Sequence, residues 1–247
     1  MNESLYIRLA APLQSWAGPA VTGNIVRTER FPTRSGLIGL LAAALGAKRG
    51  EFPNWLDDVE FVVREDRAPY FTDDFHTINY RPEADEFRRR LLIAERGKAR
   101  GKKALVFTPD AQGGTSVVNR TYLADGEFIV RITCEEHADE LEDALGSPGF
   151  TTYLGRKAFA PEFPFYLGCG AADMIRQIPT LSAPGKDLQR TLSTRRPVVQ
   201  RVYGPYHPRE GRRIQESVPV VDSRAEQWAF VKANLNIRRR GDFLPAP

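Results

Sequence analysis

Residues Phe31-Pro-Thr-Arg-Ser-Gly-Leu-Ile-Gly-Leu-Leu-Ala-Ala-Ala-Leu-Gly46 constrain the fold more than any other stretch of the chain. From Leu37 onward the segment is almost entirely apolar, which predicts a helix buried on most sides rather than an amphipathic surface helix. Pro32 suits the position just before the first turn, and Thr33 or Ser35 offers a capping hydroxyl. Gly36 and Gly39 leave room for another backbone to come close. Arg34 falls at the positive end of this helix, where free N–H groups and a guanidinium together suit a phosphate. An ordinary buried helix with Arg34 paired to a carboxylate is the competing reading.

Strand patterns surround that helix. Leu5-Tyr-Ile-Arg-Leu-Ala10 alternates like a half-buried strand, and Ala11 to Gly18 reads as a loop. A second strand is expected at Val59 to Arg64. Thr121-Tyr-Leu123, a turn at Asp125-Gly126 and Phe128 to Thr133 form a hairpin pattern, because Asp-Gly between apolar runs favours a tight turn. A helix is expected from Glu135 to Leu145. The total is βαβ followed by ββα or βαβ, the split unit of the ferredoxin-like fold and the frame of RNA-recognition modules. The predicted fold class is therefore α+β, with an RRM-type core in residues 1–168.

An insertion at 67–118 interrupts that core. Between Arg81 and Lys103 it carries nine Lys or Arg against four Asp or Glu, broken by Gly97 and Gly101. A basic, glycine-broken excursion suits an arm laid along a phosphate backbone, and a solvated loop is the plainer alternative. Residues 169–247 read as a smaller β-rich extension. Its Lys186 to Arg213 portion interleaves basic residues with Tyr203 and Tyr206, which suits stacking on bases or covering the edge of the core. The terminal stretch from Arg238 reads as a frayed basic tail.

The excluded chemistry is as informative as the charge of +4 and the pI near 9.1. Cys134 and Cys169 stand far apart without a CxxC, so reduced thiols are expected. His76, His137 and His207 form no HxxxH, HExxH or Cys/His pattern, which argues against a zinc centre; no metal or other cofactor is expected. His137, in an acidic helix start, reads as a solvated side chain. Neither a P-loop nor a G-x-S-x-G is present. No apolar run reaches 18 residues and no leader opens the chain, so a cytoplasmic protein without membrane contact is expected.

Five blocks, in order, carry a resemblance. Ile7 to Gly18 (IRLAAPLQSWAG) and Arg30 to Gly46 (RFPTRSGLIGLLAAALG) are the longest. Phe75-His-Thr77, Asn119-Arg-Thr-Tyr-Leu123 and Tyr153-Leu-Gly-Arg-Lys157 with its following prolines complete the set. Together they resemble the CasD-like family, the Cas5-type subunits of type I-E CRISPR surveillance complexes (Cascade). The resemblance implies an RRM-type core with the insertion projecting as a thumb hairpin. It implies a non-catalytic subunit that holds the 5′ handle of the CRISPR guide RNA. The implied partners are that RNA, the backbone subunit CasC, the large subunit CasA, and target DNA through the assembled complex.

Carried onto this sequence, the implied RNA-binding residues are Gln14, Ser15, Trp16, Arg34, Ser35, His76, Arg120, Arg156 and Lys157. Trp16 reads as a stacking ring or as a buried ring filling its loop. The rival activity is a metal-independent endoribonuclease that processes precursor CRISPR RNA, for which His76, Tyr80 and Lys102 or Lys103 could serve as acid, base and phosphate clamp. A third reading is a general RNA-binding module outside CRISPR.

Overall fold

The computed structural model describes residues 3–17, 25–79, 115–181, 198–203 and 213–237. Its centre is a six-stranded sheet in the order β11-β10-β4-β7-β1-β8. The strands are β1 (Glu3–Ala10), β4 (Glu60–Arg67), β7 (Glu127–Thr133), β8 (Tyr166–Ala171), β10 (Val198–Tyr203) and β11 (Arg213–Val218). All its pairings are antiparallel. Helix α1 (Arg34–Ala44) crosses from β1 to β4, with β7 between them. Helix α2 (Ala138–Gly146) crosses from β7 to β8, with β1 between them. The two crossovers interlock, so each helix packs over a strand that belongs to the other unit.

Alternation along the strands sends side chains to two different cores. Leu5, Ile7, Leu9, Phe61, Val63, Phe128, Val130 and Ile132 meet the apolar faces of α1 and α2, including Leu37, Leu41, Leu141 and Leu145. The near-continuous apolar run of α1 is thereby explained. Tyr6, Val62, Ile129 and Leu167 point the other way, toward α3 (Met174–Gln177) and α4 (Arg224–Asn234). Strand β1 is consequently buried from Ser4 to Ala10 rather than half-buried as its alternation predicts. The reason is that the C-terminal part of the chain fills the face that would otherwise be wet.

That second layer is held by charge as well as by apolar surface. Buried Arg8 donates from Nε to Glu127 Oε1 at 2.8 Å and from Nη2 to Glu162 at 3.0 Å. Arg224, at the start of α4, also donates to both Glu127 oxygens. Both guanidiniums lie about 5.5 Å from the Trp228 ring, at 5.4 and 5.5 Å. Burial alone would raise the Glu127 carboxyl, but the Arg224 hydrogen bonds and the Arg8 charge outweigh it and hold it below its ordinary value. Fully buried Arg64 donates to the Ile175 and Ile178 carbonyls at 2.6 and 2.7 Å, closing the end of α3, and to both oxygens of Asp66.

A second sheet stands beside the first. Its β6 (Thr115–Ala124) is flanked by β2 (Leu13–Gln14) and β3 (Ile25–Val26) and pairs with β5 (Tyr70–Asn79). The β5–β6 ladder runs antiparallel from Tyr70↔Ala124 to Asn79↔Thr115. The turn into β7 uses Asp125 at φ 55, the left-handed conformation that an Asp-Gly turn favours. Most of the basic insertion, residues 80–114, lies outside the described residues, as do Tyr80, Lys102, Lys103 and His207. So do the tail from Arg238 and most of Lys186 to Arg213. The short strands β9 (Thr180–Leu181) and β12 (Val220–Val221) pair in parallel.

Three local readings need correction or sharpening. Residues 198–203 and 213–218 form a hairpin that joins the central sheet at β4, so part of the C-terminal stretch extends the core sheet itself. His137 is not simply solvated; its ring stacks on Trp55 with centroids 4.1 Å apart and planes 6° from parallel. Cys134 and Cys169 are not joined in a disulfide, and burial raises the Cys134 thiol.

Candidate nucleic-acid interface

A cleft of about 1040 Å³ opens along the exposed side of α1. One wall is α1 itself, through Ser35, Gly36, Gly39, Leu40 and Ala43. The facing wall is the segment from Phe150 to Lys157, with Ser15, Trp16 and Ala17 closing one end. The sequence builds this geometry through backbone staples at both ends of that segment. Gly149 N donates to Ala44 O at 2.7 Å and Phe150 N to Ala43 O at 3.0 Å, satisfying carbonyls left open at the helix C-terminus. At the other end Ser15 N donates to Leu154 O at 3.0 Å. The segment therefore runs antiparallel to α1 along its length, about 16 Å for eleven residues.

Two glycines set how closely the walls approach. A Cβ on Gly155, at φ +90°, would lie 1.7 Å from the Ser15 carbonyl oxygen. A Cβ on Gly36 would lie 2.8 Å from the Trp16 ring. The group that closes on Gly36 is thus an indole ring and not the backbone anticipated from the sequence. Gly39 has nothing within 4 Å of a Cβ position and opens into the cleft.

The predicted residues separate into those that shape the cleft and those that face it. Gln14 is fully buried; its Nε2 donates to Gly126 O at 2.8 Å and its Oε1 accepts from Trp16 Nε1 at 3.0 Å. Trp16 is 2% exposed, so it is a wall of the cleft with too little free surface for a base to stack on. The loop-filling alternative describes it. Thr33 is the N-cap of α1, its hydroxyl accepting from Gly36 N at 3.3 Å, while Ser35 lines the cleft.

Arg34 turns to the other side of the helix start. It donates to Val59 O at 2.7 Å and Asp57 O at 2.5 Å and lies 5.5 Å from the Phe61 ring. These contacts tie α1 to the turn at Asn54–Asp58 through backbone carbonyls. Among the predicted cations, Arg156 and Lys157 do line the cleft. Arg156 also lies over the Tyr122 ring at 5.3 Å. Arg120 shares that face of β6 with Tyr122, two residues along the strand, which brings it to the same neighbourhood. His76 does not join them. It sits on β5 opposite Val118, with Nε2 2.5 Å from Asp74 Oδ2.

Among the charged and aromatic lining residues, sequence reading missed five as site residues: Lys48, Arg49, Phe52, Phe150 and Tyr153. Lys48 and Arg49 follow directly on the longest apolar run, and Phe150 stands three positions before Tyr153 of the YLGRK block; that adjacency was the available signal. The described lining contains four cationic side chains and neither Asp nor Glu nor His. Its electrostatics therefore suit an anion, and the exposed rings suit planar groups. The sheet face turned away from α1 and α2 offers no open surface at Tyr6 and Ile129, which are fully buried under the α3–α4 layer.

This geometry has relatives. The family model Cas_Cas5d, CRISPR-associated protein (Cas_Cas5), matches residues 4–207. The chain is 33% identical over 204 residues to the CRISPR system Cascade subunit CasD of Escherichia coli (strain K12), spanning 76% of this chain and 81% of that protein. A solved chain of a CRISPR RNA-guided surveillance complex superposes with a TM-score of 0.63 at 26% identity, covering 93% of this chain and 99% of its own length. A crystal structure of a Cas protein gives 0.52 at 25% identity, with 89% and 98% covered.

Proposed function

The chain belongs to the Cas5 family of CRISPR-associated proteins, and on that footing we propose that it is a guide-RNA-binding subunit of a type I-E Cascade complex. It captures the 5′ handle of the mature guide and caps the backbone filament beside the large subunit. The β1-α1-β4 and β7-α2-β8 units are its ferredoxin-like, RRM-type core, and the β5–β6 ladder is the base of a thumb. Its partners are the guide RNA, a CasC-type backbone subunit and a CasA-type large subunit, with target DNA reached through the assembly. It works in the cytoplasm.

One observation carries this reading. The cleft along α1 presents Lys48, Arg49, Arg156 and Lys157 with no carboxylate among its described lining. A single-stranded phosphate backbone is the anion that matches a basic groove of this length. Ser35, Arg156 and Lys157 face the RNA, and Arg120 contacts it at the base of the thumb. Ser15 borders the same path, whereas Gln14, Trp16 and Arg34 hold the walls in place.

Binding is favoured over cleavage because the lining offers no imidazole or carboxylate beside the cationic groups. His76, the histidine that the nuclease reading uses, lies on β5 and is not among the residues lining the cleft. The test is to incubate the purified chain, without added metal, with labelled repeat RNA and with mature guide, and to run denaturing and native gels. Intact RNA with a shift dependent on the 5′ handle is the expected result. Specific cleavage within the repeat would transfer the protein to the processing-nuclease class.

A further inference from the structure

Three half-exposed rings have no role in the recognised motifs, except that Tyr153 opens the YLGRK block. Phe52 is 40% exposed, Phe150 46% and Tyr153 36%, and all three line the cleft along α1. Large apolar side chains left open to water in the same groove mark a binding surface when they converge. Phe52 and Phe150 share the groove with Lys48 and Arg49, which follow the C-terminus of α1. Arg156 and Lys157 come from the other end of the facing segment. The Phe150 backbone is pinned to α1 through Ala43 O, so its ring is presented from a rigid element.

We propose that Phe52, Phe150 and Tyr153 form a base-stacking subsite for single-stranded RNA, with Lys48 and Arg49 holding the adjoining phosphates. The subsite deepens the guide-RNA reading and rests on it. Base faces stack on aromatic rings irrespective of sequence, and interleaved cations follow the backbone. A wall of about 16 Å accommodates about five stacked nucleotides at roughly 3.4 Å each. Charge favours RNA over a protein occupant. A second groove, of about 640 Å³ beside α2 and α4, has the mixed lining expected of protein contacts: Asp143 and Lys232 around Phe163 and Trp228. The cleft along α1 has cations only.

The experiment uses the full-length chain and short single-stranded RNAs that carry one 2-aminopurine at successive positions. Binding by the unmodified protein is expected to change the fluorescence at two or three adjacent positions. Phe150→Ala and Phe52→Ala are expected to abolish that change and weaken binding about tenfold each, the effect of losing one stacked base, while the salt dependence stays the same. Lys48→Glu is expected to do the reverse, flattening the salt dependence and keeping the signal. Phe150→Trp, which keeps a flat ring, is expected to retain stacking, whereas Phe150→Leu keeps apolar bulk and is expected to lose it; this pair answers the question even where alanine unfolds the chain.

Unchanged affinity and fluorescence in the Phe variants, with binding lost on Arg156→Glu and Lys157→Glu, would overturn the subsite and leave the guide-RNA reading standing. Loss in none of these variants would remove the RNA reading as well. Normal RNA binding by Phe150→Ala together with failure to assemble with the other Cascade subunits would make this a protein-docking surface, which also overturns the proposal.

Discussion

Gly155 shows how much a single position decides. Its φ of +90° disfavours any side chain, and a Cβ would lie 1.7 Å from the Ser15 carbonyl oxygen, a rigid backbone atom. Gly46 shares a positive φ of +74°, yet its nearest neighbour would be 3.7 Å away. Gly155→Ala is therefore expected to cost about 3 kcal/mol or more, because strain and collision add. Gly46→Ala is expected to cost only about 1 kcal/mol, the conformational part alone. Urea denaturation of the two variants measures the difference; equal losses would mean that the wall at Ser15 yields easily. The glycine in Tyr-Leu-Gly-Arg-Lys is plain in the sequence, but the partner it meets is about 140 residues away.

At the scale of the element, α4 illustrates a helix whose docking is electrostatic at one end and apolar at the other. Val231 and Leu235 pack under the sheet, while Arg224 reaches Glu127 beside Arg8. The Glu127 carboxyl sits below its ordinary value of 4.5 in the folded chain. A carboxylate of this kind contributes stability above its unfolded pKa, and that contribution is lost as pH falls through the lowered folded value. Acidification from neutral pH to below 4.5 should accordingly weaken the docking of α4, with Arg8, Arg67 and Arg224 left facing a neutral acid. Thermal melts across that range are expected to show a falling limb that Glu127→Gln flattens, with the variant less stable at neutral pH. An acid limb of the same steepness in Glu127→Gln would assign the effect to other carboxylates.

At the scale of the whole molecule, two groups of cations stand apart among the described residues. Arg8, Arg34 and Arg64 are spent on carboxylates and backbone carbonyls inside the fold. Lys48, Arg49, Arg156 and Lys157 converge on one cleft. Each cation of the second group that meets a phosphate adds about 0.7 to the slope of log affinity against log salt for a single strand. Four such contacts contribute about 3 to the magnitude of the slope, and Lys157→Glu should flatten it by about one contact's worth. Arg34→Gln should leave the slope unchanged and reduce stability instead. Titrations of single-stranded RNA at several salt concentrations check both, and an Arg34 variant that flattened the slope would return that residue to the RNA path.

What the sequence determined by itself was local and periodic. The apolar run of α1, the alternation of β1, the apolar run of β7 and the Asp125-Gly126 turn are patterns that near neighbours enforce, and they were legible without coordinates. The family blocks placed Arg156 and Lys157 in the candidate site. Only the tertiary structure decided which cations are free to meet a ligand and which surface is open. Arg34 and Lys157 look equally available in sequence, but one is held by carbonyls of Asp57 and Val59 and the other lines a cleft. The second face of the central sheet was likewise closed by residues far along the chain, and the cleft on α1 opened through staples from positions 149 to 154. The physical reason is that burial and hydrogen bonding are properties of the surroundings, and these surroundings are assembled from segments more than a hundred residues apart.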